Sequence, residues 1–308
     1  MASAVPVPYH TLEESPNSRT IKIGDWEITA RTNPISNAGE LDALQAAVGG
    51  FPLPEMTFGN NDLELVHKPT GWRYGFSTED ALKGVKNGEL EPGDGGVKVG
   101  HADAWLKSRT GPSSQLPMPK TVPTKIYDWT YTTVYGGHVL PESSATAEWK
   151  PVDPQNENHT IPLAELTRHD PILFYAEIPL YEDELHDNGS SHLIVRIRVM
   201  PTCIFILSRF TLRVDGVLFR THDVRIYHSY ASSPPLVVRE SSGWEAPYEW
   251  VKKRLPKRDD LTPLTDPNWI AKILSDMPSE ISQQAGAGTK WRGLRTRTQV
   301  SVLGTSGA

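Results

Sequence analysis

Residues 181–189, YEDELHDNG, bring Glu182, Asp183, Glu184, His186 and Asp187 into one short run. Oxygen ligands of this kind suit a hard divalent cation, and the same groups can act as acid and base. A metal-dependent hydrolase built on residues 182–187 is therefore one function the run allows. Extended chain sends Glu182, Glu184 and His186 to one side and Asp183 and Asp187 to the other, so a solvated strand end with an Asp-Asn-Gly turn accounts for the same residues. A second concentration is cationic: Arg196, Arg198, Arg209, Arg213 and Arg220 recur at spacings that put them, with His222, on one face of a β-meander. Guanidinium groups capture carboxylates through a two-pronged fork. In an acidic protein these five need a counter-charge, from Glu177, Glu182 and Glu184 of the chain itself or from a partner. Lone Cys203 sits in an apolar β-run and reads as a buried, inert thiol. There is no P-loop, GxSxG elbow, CxxC, EF-hand loop or HExxH helix, and the ten histidines show no paired metal spacing. No cofactor is expected.

The elements that must position these residues follow from the apolar pattern. Asp215-Gly216 between Val214 and Val217 signals a two-residue hairpin. That turn pairs Leu212 with Phe219, Phe210 with Thr221 and Ser208 with Asp223. A second turn at Pro201-Thr202 pairs Val199 with Ile204, Ile197 with Ile206 and Val195 with Ser208. One face of the meander is then dry, from Leu193, Val195, Ile197 and Val199 through Ile204, Ile206, Phe210 and Leu212 to Phe219, with Asp223 and Arg225 toward its far end. Asp223 becomes a buried carboxylate that must be paired. Ser77-Thr78-Glu79-Asp80 ahead of Ala81 and Leu82 fits a capped helix start, which gives Asp80 a structural role as a capping carboxylate.

Elsewhere, residues 21–30 read as a strand kinked at Gly24, 37–48 as a short amphipathic helix closed by Gly49-Gly50, and 62–67 with 72–76 as a hairpin. Residues 126–134 read as a strand. So do residues 172–181, where Pro179 marks an edge or bulge. Trp244, Tyr248, Val251 and Leu255 fall at helical spacing, and Asp266-Pro267 opens a last helix. Residues 87–96, 109–124 and 141–160 read as loops. The 24 Gly and 26 Pro in 308 residues, with negative mean hydropathy, agree with strands joined by many turns. The fold class expected is α+β, mainly antiparallel sheets with short peripheral helices in a single domain. A flexible arm over 1–18 precedes a globular part over 19–280, and a disordered basic tail over 281–308 follows it.

Charge and targeting exclude some functions. The net charge is −6, and residues 281–308 carry Lys290, Arg292, Arg295 and Arg297 with no acid, so the body is more acidic still. An acidic body argues against nucleic-acid binding, which relies on neutralising phosphates. Lys252, Lys253, Arg254, Lys257 and Arg258 form a basic run that reads either as a nuclear-import or nucleic-acid patch or as the cationic end of a helix. No apolar run approaches the roughly 18 residues of a membrane span. The N-terminus lacks a basic and apolar leader, and one cysteine forms no internal disulfide. These features predict a cytoplasmic protein, with the nucleus as a second compartment.

The segments LPEMTFGNNDLEL (53–65), FSTEDAL (76–82), YDWTYTT (127–133), EDELHDNG (182–189), VRIRVMP (195–201) and RVDGVLFRTHDVRIYH (213–228) closely resemble the TIPRL, or TIP forty-one-like, family, in collinear order over roughly residues 20–230. The resemblance implies an antiparallel-sheet α+β fold with a partner-binding cleft. It implies a regulator of TOR signalling, not an enzyme, that binds catalytic subunits of type 2A protein phosphatases and, in fungi, the phosphatase-associated subunit that TOR controls. Residue by residue, the family's phosphatase-contacting positions fall on Asp80, Ile161, Thr221 and Asp223. Thr221 stands where relatives carry a larger apolar side chain. Together with the arginine face of Arg196, Arg198, Arg209 and Arg220, these positions are the expected partner-binding set.

Overall fold

Short alternating runs of apolar residues fold the chain into successive hairpins, and two sheets result. The computed structural model describes residues 6–50, 53–83, 135–145, 148–152, 159–162, 166, 171–185, 189–216, 218–257, 260–266, 268–270, 272–273 and 294–303. In chain order these form β1 (His10–Ser15), β2 (Ser18–Ile23), β3 (Trp26–Arg31), α1 (Ala38–Ala47), β4 (Met56–Thr57), β5 (Asp62–His67), β6 (Trp72–Ser77), α2 (Thr78–Lys83), β7 (His138–Val139), β8 (Lys150–Pro151), β9 (Phe174–Asp183), β10 (Gly189–Val199), β11 (Cys203–Val214), β12 (Leu218–Ser229), β13 (Leu236–Pro247), α3 (Tyr248–Lys252) and β14 (Leu294–Val302). Every strand pair is antiparallel. The first sheet has the order β1-β2-β3-β5-β6-β7, and the second β4-β9-β10-β11-β12-β13-β14-β8.

The sheets share one core. Ile21, Ile28, Leu63, Trp72, Tyr74 and Phe76 of the first sheet lie in the same buried cluster as Phe174, Ile178, Val195, Ile197, Ile206, Phe210 and Ile226 of the second. Each such side chain contributes about 1.5–3 kcal/mol on burial, so the shared cluster makes the two sheets a single domain. The α+β class with antiparallel sheets and short helices is thus what the structure shows. No helix among the described residues is long and apolar enough to cross a membrane. At the start of α1, Asn37 accepts from the Glu40 N–H while the Glu40 side chain accepts from the Asn37 N–H, a reciprocal cap.

Several boundaries differ from the sequence reading. Gly24, at φ +53°, closes a tight turn between β2 and β3, so residues 21–30 are two strands and not one kinked strand. Residues 10–15, expected in a flexible arm, pair with β2, where Glu13–Lys22 (2.5 Å) and Glu14–Arg19 (3.0 Å) link the two strands. Arg19 also donates to the Tyr175 carbonyl of β9 at 2.9 Å. Residues 294–302, expected in a disordered tail, form β14, because Val300 and Leu303 are buried against the second sheet. The domain therefore runs past residue 280. Trp244 lies in β13 and not in a helix, and α3 begins only at Tyr248. The strand expected over 126–134 and the loops over 87–96 and 109–124 lie outside the described residues.

The largest correction concerns register. Val199 pairs with Ile204, Ile197 with Ile206 and Val195 with Ser208, as the Pro201-Thr202 turn implies. At the next turn Val214 pairs with Leu218, so the loop holds three residues and not two. Gly216 at φ +74° supplies the left-handed turn position. One extra residue turns every side chain of β12 to the other face.

Candidate partner interface

The shifted register redraws the arginine face. Arg196, Arg198, Arg209 and Arg213 lie on the side of the second sheet away from the core, as expected. Arg220 does not: it pairs with Leu212 on the core side and is 1% exposed, so it leaves the expected set of outward cations. His222, opposite Phe210, turns inward with it. Arg225 takes the reverse path and joins the outer face opposite Leu207.

Asp223 changes sides too. It lies opposite Arg209, not Ser208, and is 4% exposed. Arg209 Nε and Nη2 donate to the two Asp223 oxygens, each at 2.7 Å, a two-pronged ion pair. Arg225 adds a contact to Asp223 at 3.2 Å and pairs with Glu240 at 2.7 Å. The result is a charged ladder, Arg209–Asp223–Arg225–Glu240, across β11, β12 and β13. Burial opposes the charge on Arg209, yet its hydrogen bonds and attraction to Asp223 prevail and hold its pKa above the ordinary value. Arg196 pairs with Glu177 at 2.7 Å and Arg213 with Asp215 at 2.9 Å. Internal acids therefore neutralise most of the face. Among the described residues, Arg198 is exposed with no acid against it, in a row between Tyr175 and Phe205.

Thr221 lies opposite Thr211 on this outer face; both are buried, and among the described residues neither hydroxyl has a hydrogen-bond partner. His192, opposite Thr211, is held at a pKa of about 4, first by burial and then by Arg196 and Arg209. Ile161 is half-buried against Met200, Cys203 and Tyr227 and also against Leu236, Val238 and Val300, at one end of the face. At the other end Phe219 and Ala246 are covered by Val251, Leu255, Leu264 and Ile270. Ile161, Thr221 and Asp223 thus share one side of the second sheet, with the charged ladder between its two covered ends.

Asp80 belongs to a different place. Ser77 caps α2, and its Oγ both accepts from the Asp80 N–H at 3.2 Å and donates to Asp80 Oδ2 at 2.6 Å. His138 Nε2 lies 3.2 Å from the same oxygen, and His138 Nδ1 lies 2.7 Å from Tyr135 Oη. An added Cβ at Gly136, beside these residues, would stand 3.4 Å from Val224 on the core side of β12. Asp80 and Asp223 therefore lie on opposite sides of that strand. His138 and Tyr135 escaped the sequence reading because nothing in their local pattern ties them to residue 80. Arg225 escaped it through the one-residue register shift, and Glu240 because nothing local marked Leu236–Pro247 as a strand.

The acidic run at 181–189 has a structural explanation in part. Asp183 accepts the Glu55 N–H at 3.2 Å and the Leu185 N–H at 2.6 Å, and is 6% exposed. It anchors a turn in which Leu185 takes φ +51°. Glu184 is exposed, and His186 and Asp187 lie outside the described residues. Among the described residues no three His, Cys, Asp or Glu side chains cluster as a metal-binding group.

The chain is 38% identical over 283 residues to a Saccharomyces cerevisiae protein named type 2A phosphatase activator TIP41, covering 87% of this chain and 75% of that one. It is 36% identical over 256 residues to a human TIP41-like protein, covering 83% and 85%. An Arabidopsis thaliana TIP41-like protein is 36% identical over 271 residues, covering 83% and 87%. With residues 56–252 matching the TIP41-like family as well, the chain belongs to that family.

Proposed function

We propose that this chain is a non-enzymatic regulator in TOR signalling that binds the catalytic subunit of type 2A-like serine/threonine phosphatases and modulates their activity or assembly. The observation that carries the reading is the match over most of its length to a protein named a type 2A phosphatase activator. The phosphatase-associated subunit of the same pathway is a second partner, and the cytoplasm, with the nucleus, is the place of action. Two surface groups suit a macromolecular partner: the exposed Arg198 beside Tyr175 and Phe205, and the half-exposed carboxylate of Asp80. Charge at such groups steers encounter, while desolvated apolar contacts supply most of the affinity. A metal-dependent hydrolase at 182–187 has less support, because the Asp183 carboxylate already accepts two backbone amides. Co-purification with a type 2A catalytic subunit, followed by phosphatase assay of the complex, tests the proposal. Absence of a complex between the purified proteins would overturn it.

A further inference from the structure

A carboxylate at the third position of a capped helix ordinarily turns back to the N–H of the capping residue. At α2 that N–H, of Ser77, donates instead to Tyr135 Oη at 2.9 Å, and Asp80 turns outward. Its Oδ2 receives the Ser77 hydroxyl at 2.6 Å and faces His138 Nε2 at 3.2 Å. On the other side of the imidazole, Nδ1 lies 2.7 Å from Tyr135 Oη, whose ring is tilted only 25° from it. One proton arrangement satisfies every group. The Ser77 N–H fills one lone pair of the phenol oxygen, the phenol proton goes to Nδ1, and the neutral ring keeps its hydrogen on Nε2 for Asp80. A protonated ring would turn an N–H at Nδ1 toward the phenol and break that bond.

This chain of bonds saturates one Asp80 oxygen and leaves the other. Among the described residues Oδ1 accepts no bond, and the side chain is 37% exposed. Lys83, one turn on in α2, is held by Glu79 and so does not compete for it. We propose that His138 and Tyr135 are positioning residues that present Asp80 Oδ1 as a fixed acceptor for an arginine or lysine side chain of the phosphatase partner. The inference rests on the function proposed above. A carboxylate already locked in place loses less conformational freedom on binding than a mobile one.

Among the described residues, the groups facing His138 are Asp80 and Lys83 from α2 and Tyr135 from the segment before β7. Burial lowers its pKa below the ordinary imidazole value; Lys83 adds to this and Asp80 opposes it. Acidification past that point puts a cation beside Oδ2, where it competes with the partner's cation, and disrupts the phenol link. Affinity therefore falls as pH falls.

The test uses the full chain and a type 2A catalytic subunit, with binding measured by titration calorimetry at about pH 7.5 and about pH 5.5. Asp80→Asn is expected to weaken binding about tenfold or more, the loss of a hydrogen bond to a charged group. His138→Ala and Tyr135→Phe should each weaken it by about three- to tenfold through lost positioning. His138→Gln, whose amide N–H can replace Nε2–H but which offers the phenol no Nδ1 acceptor, should weaken binding near neutrality no more than Tyr135→Phe does and should lose the acid-induced weakening. A merely structural histidine would not give that pattern. If the parent binds and Asp80→Asn weakens it while the His138 variants match the parent at both pH values, the positioning role is overturned. Unchanged affinity in Asp80→Asn overturns it as well. A parent that binds no phosphatase overturns the functional reading and this one with it. Thermal melts accompany each variant, and if His138→Ala fails to fold, His138→Gln and Tyr135→Phe carry the test.

Discussion

Removing the Asp223 carboxylate should unfold this protein more readily, whatever it does to binding. Asp223 and Arg209 have side chains 5% and 10% exposed and share two 2.7 Å hydrogen bonds. Asp223→Ala leaves the Arg209 guanidinium enclosed with no counter-charge, which costs about 3–5 kcal/mol. With a urea slope of roughly 2–3 kcal/mol/M, the midpoint falls by about 1–2.5 M. Replacing both partners by apolar residues, as in Arg209→Met with Asp223→Leu, should recover most of that loss, because no buried charge then lacks a partner. Urea unfolding followed by circular dichroism, on the parent, both single variants and the double variant, measures the coupling directly. The resemblance to phosphatase regulators implies a contact residue at Asp223, whose loss weakens the complex with the fold intact; the ion pair implies a structural one. An Asp223→Ala midpoint within about 0.3 M of the parent, together with lost phosphatase binding, would refute the structural argument.

Other outcomes follow from the same coordinates. His222 and His228 are held at a pKa of about 4, chiefly by burial, so the unfolded chain binds more protons below the ordinary histidine pKa. Their contribution to stability is complete above about pH 6.5 and declines from there toward pH 4, by about 3 kcal/mol for each histidine; urea midpoints that stay level between pH 7 and about pH 5 would contradict it. Gly137→Ala should cost about 1–3 kcal/mol, since this residue has φ +85° and a Cβ would stand 2.5 Å from the Tyr74 ring and 2.9 Å from the Gly75 carbonyl. Thermal unfolding checks that value, and an unchanged midpoint is the opposing result. Asp183→Ala should lower stability by about 1–3 kcal/mol by releasing two backbone amides. Adding Mg²⁺, Mn²⁺ or Ca²⁺ to the parent should leave its melting temperature unchanged, whereas a rise would revive the metal reading.

How much of this was legible in the sequence depended on whether a signal was local. The Val199/Ile204 register, the short helix closed by Gly49-Gly50, the hairpin joining β5 to β6 and the bulge near Pro179 each rest on a few adjacent residues, and each was readable. The Asp215-Gly216 turn was readable as a turn but not in its length, because Asp-Gly suits both two- and three-residue loops. That single ambiguity misplaced Asp223, Arg220, His222 and Arg225 together. β14 was obscured by a composition rich in Gly, Ser and Thr, although Val300, Val302 and Leu303 carried an apolar signal. The Asp80–His138–Tyr135 chain joins distant segments, and no one-dimensional pattern records such a meeting.

The outer margin of β9 bears on how this protein can meet another chain. β4 pairs with β9 only at Met56 and Thr57, yet the rest of that margin is not simply vacant. Phe58 N–H donates to the Leu180 carbonyl, Asn61 Nδ2 to that of Pro179 and Arg19 to that of Tyr175, while Pro179 itself has no N–H to offer. With those acceptors stoppered, an incoming strand finds few rungs to grip, and a flat sheet margin is thereby kept from seeding aggregates. Along this margin, recognition falls to side chains rather than to strand addition.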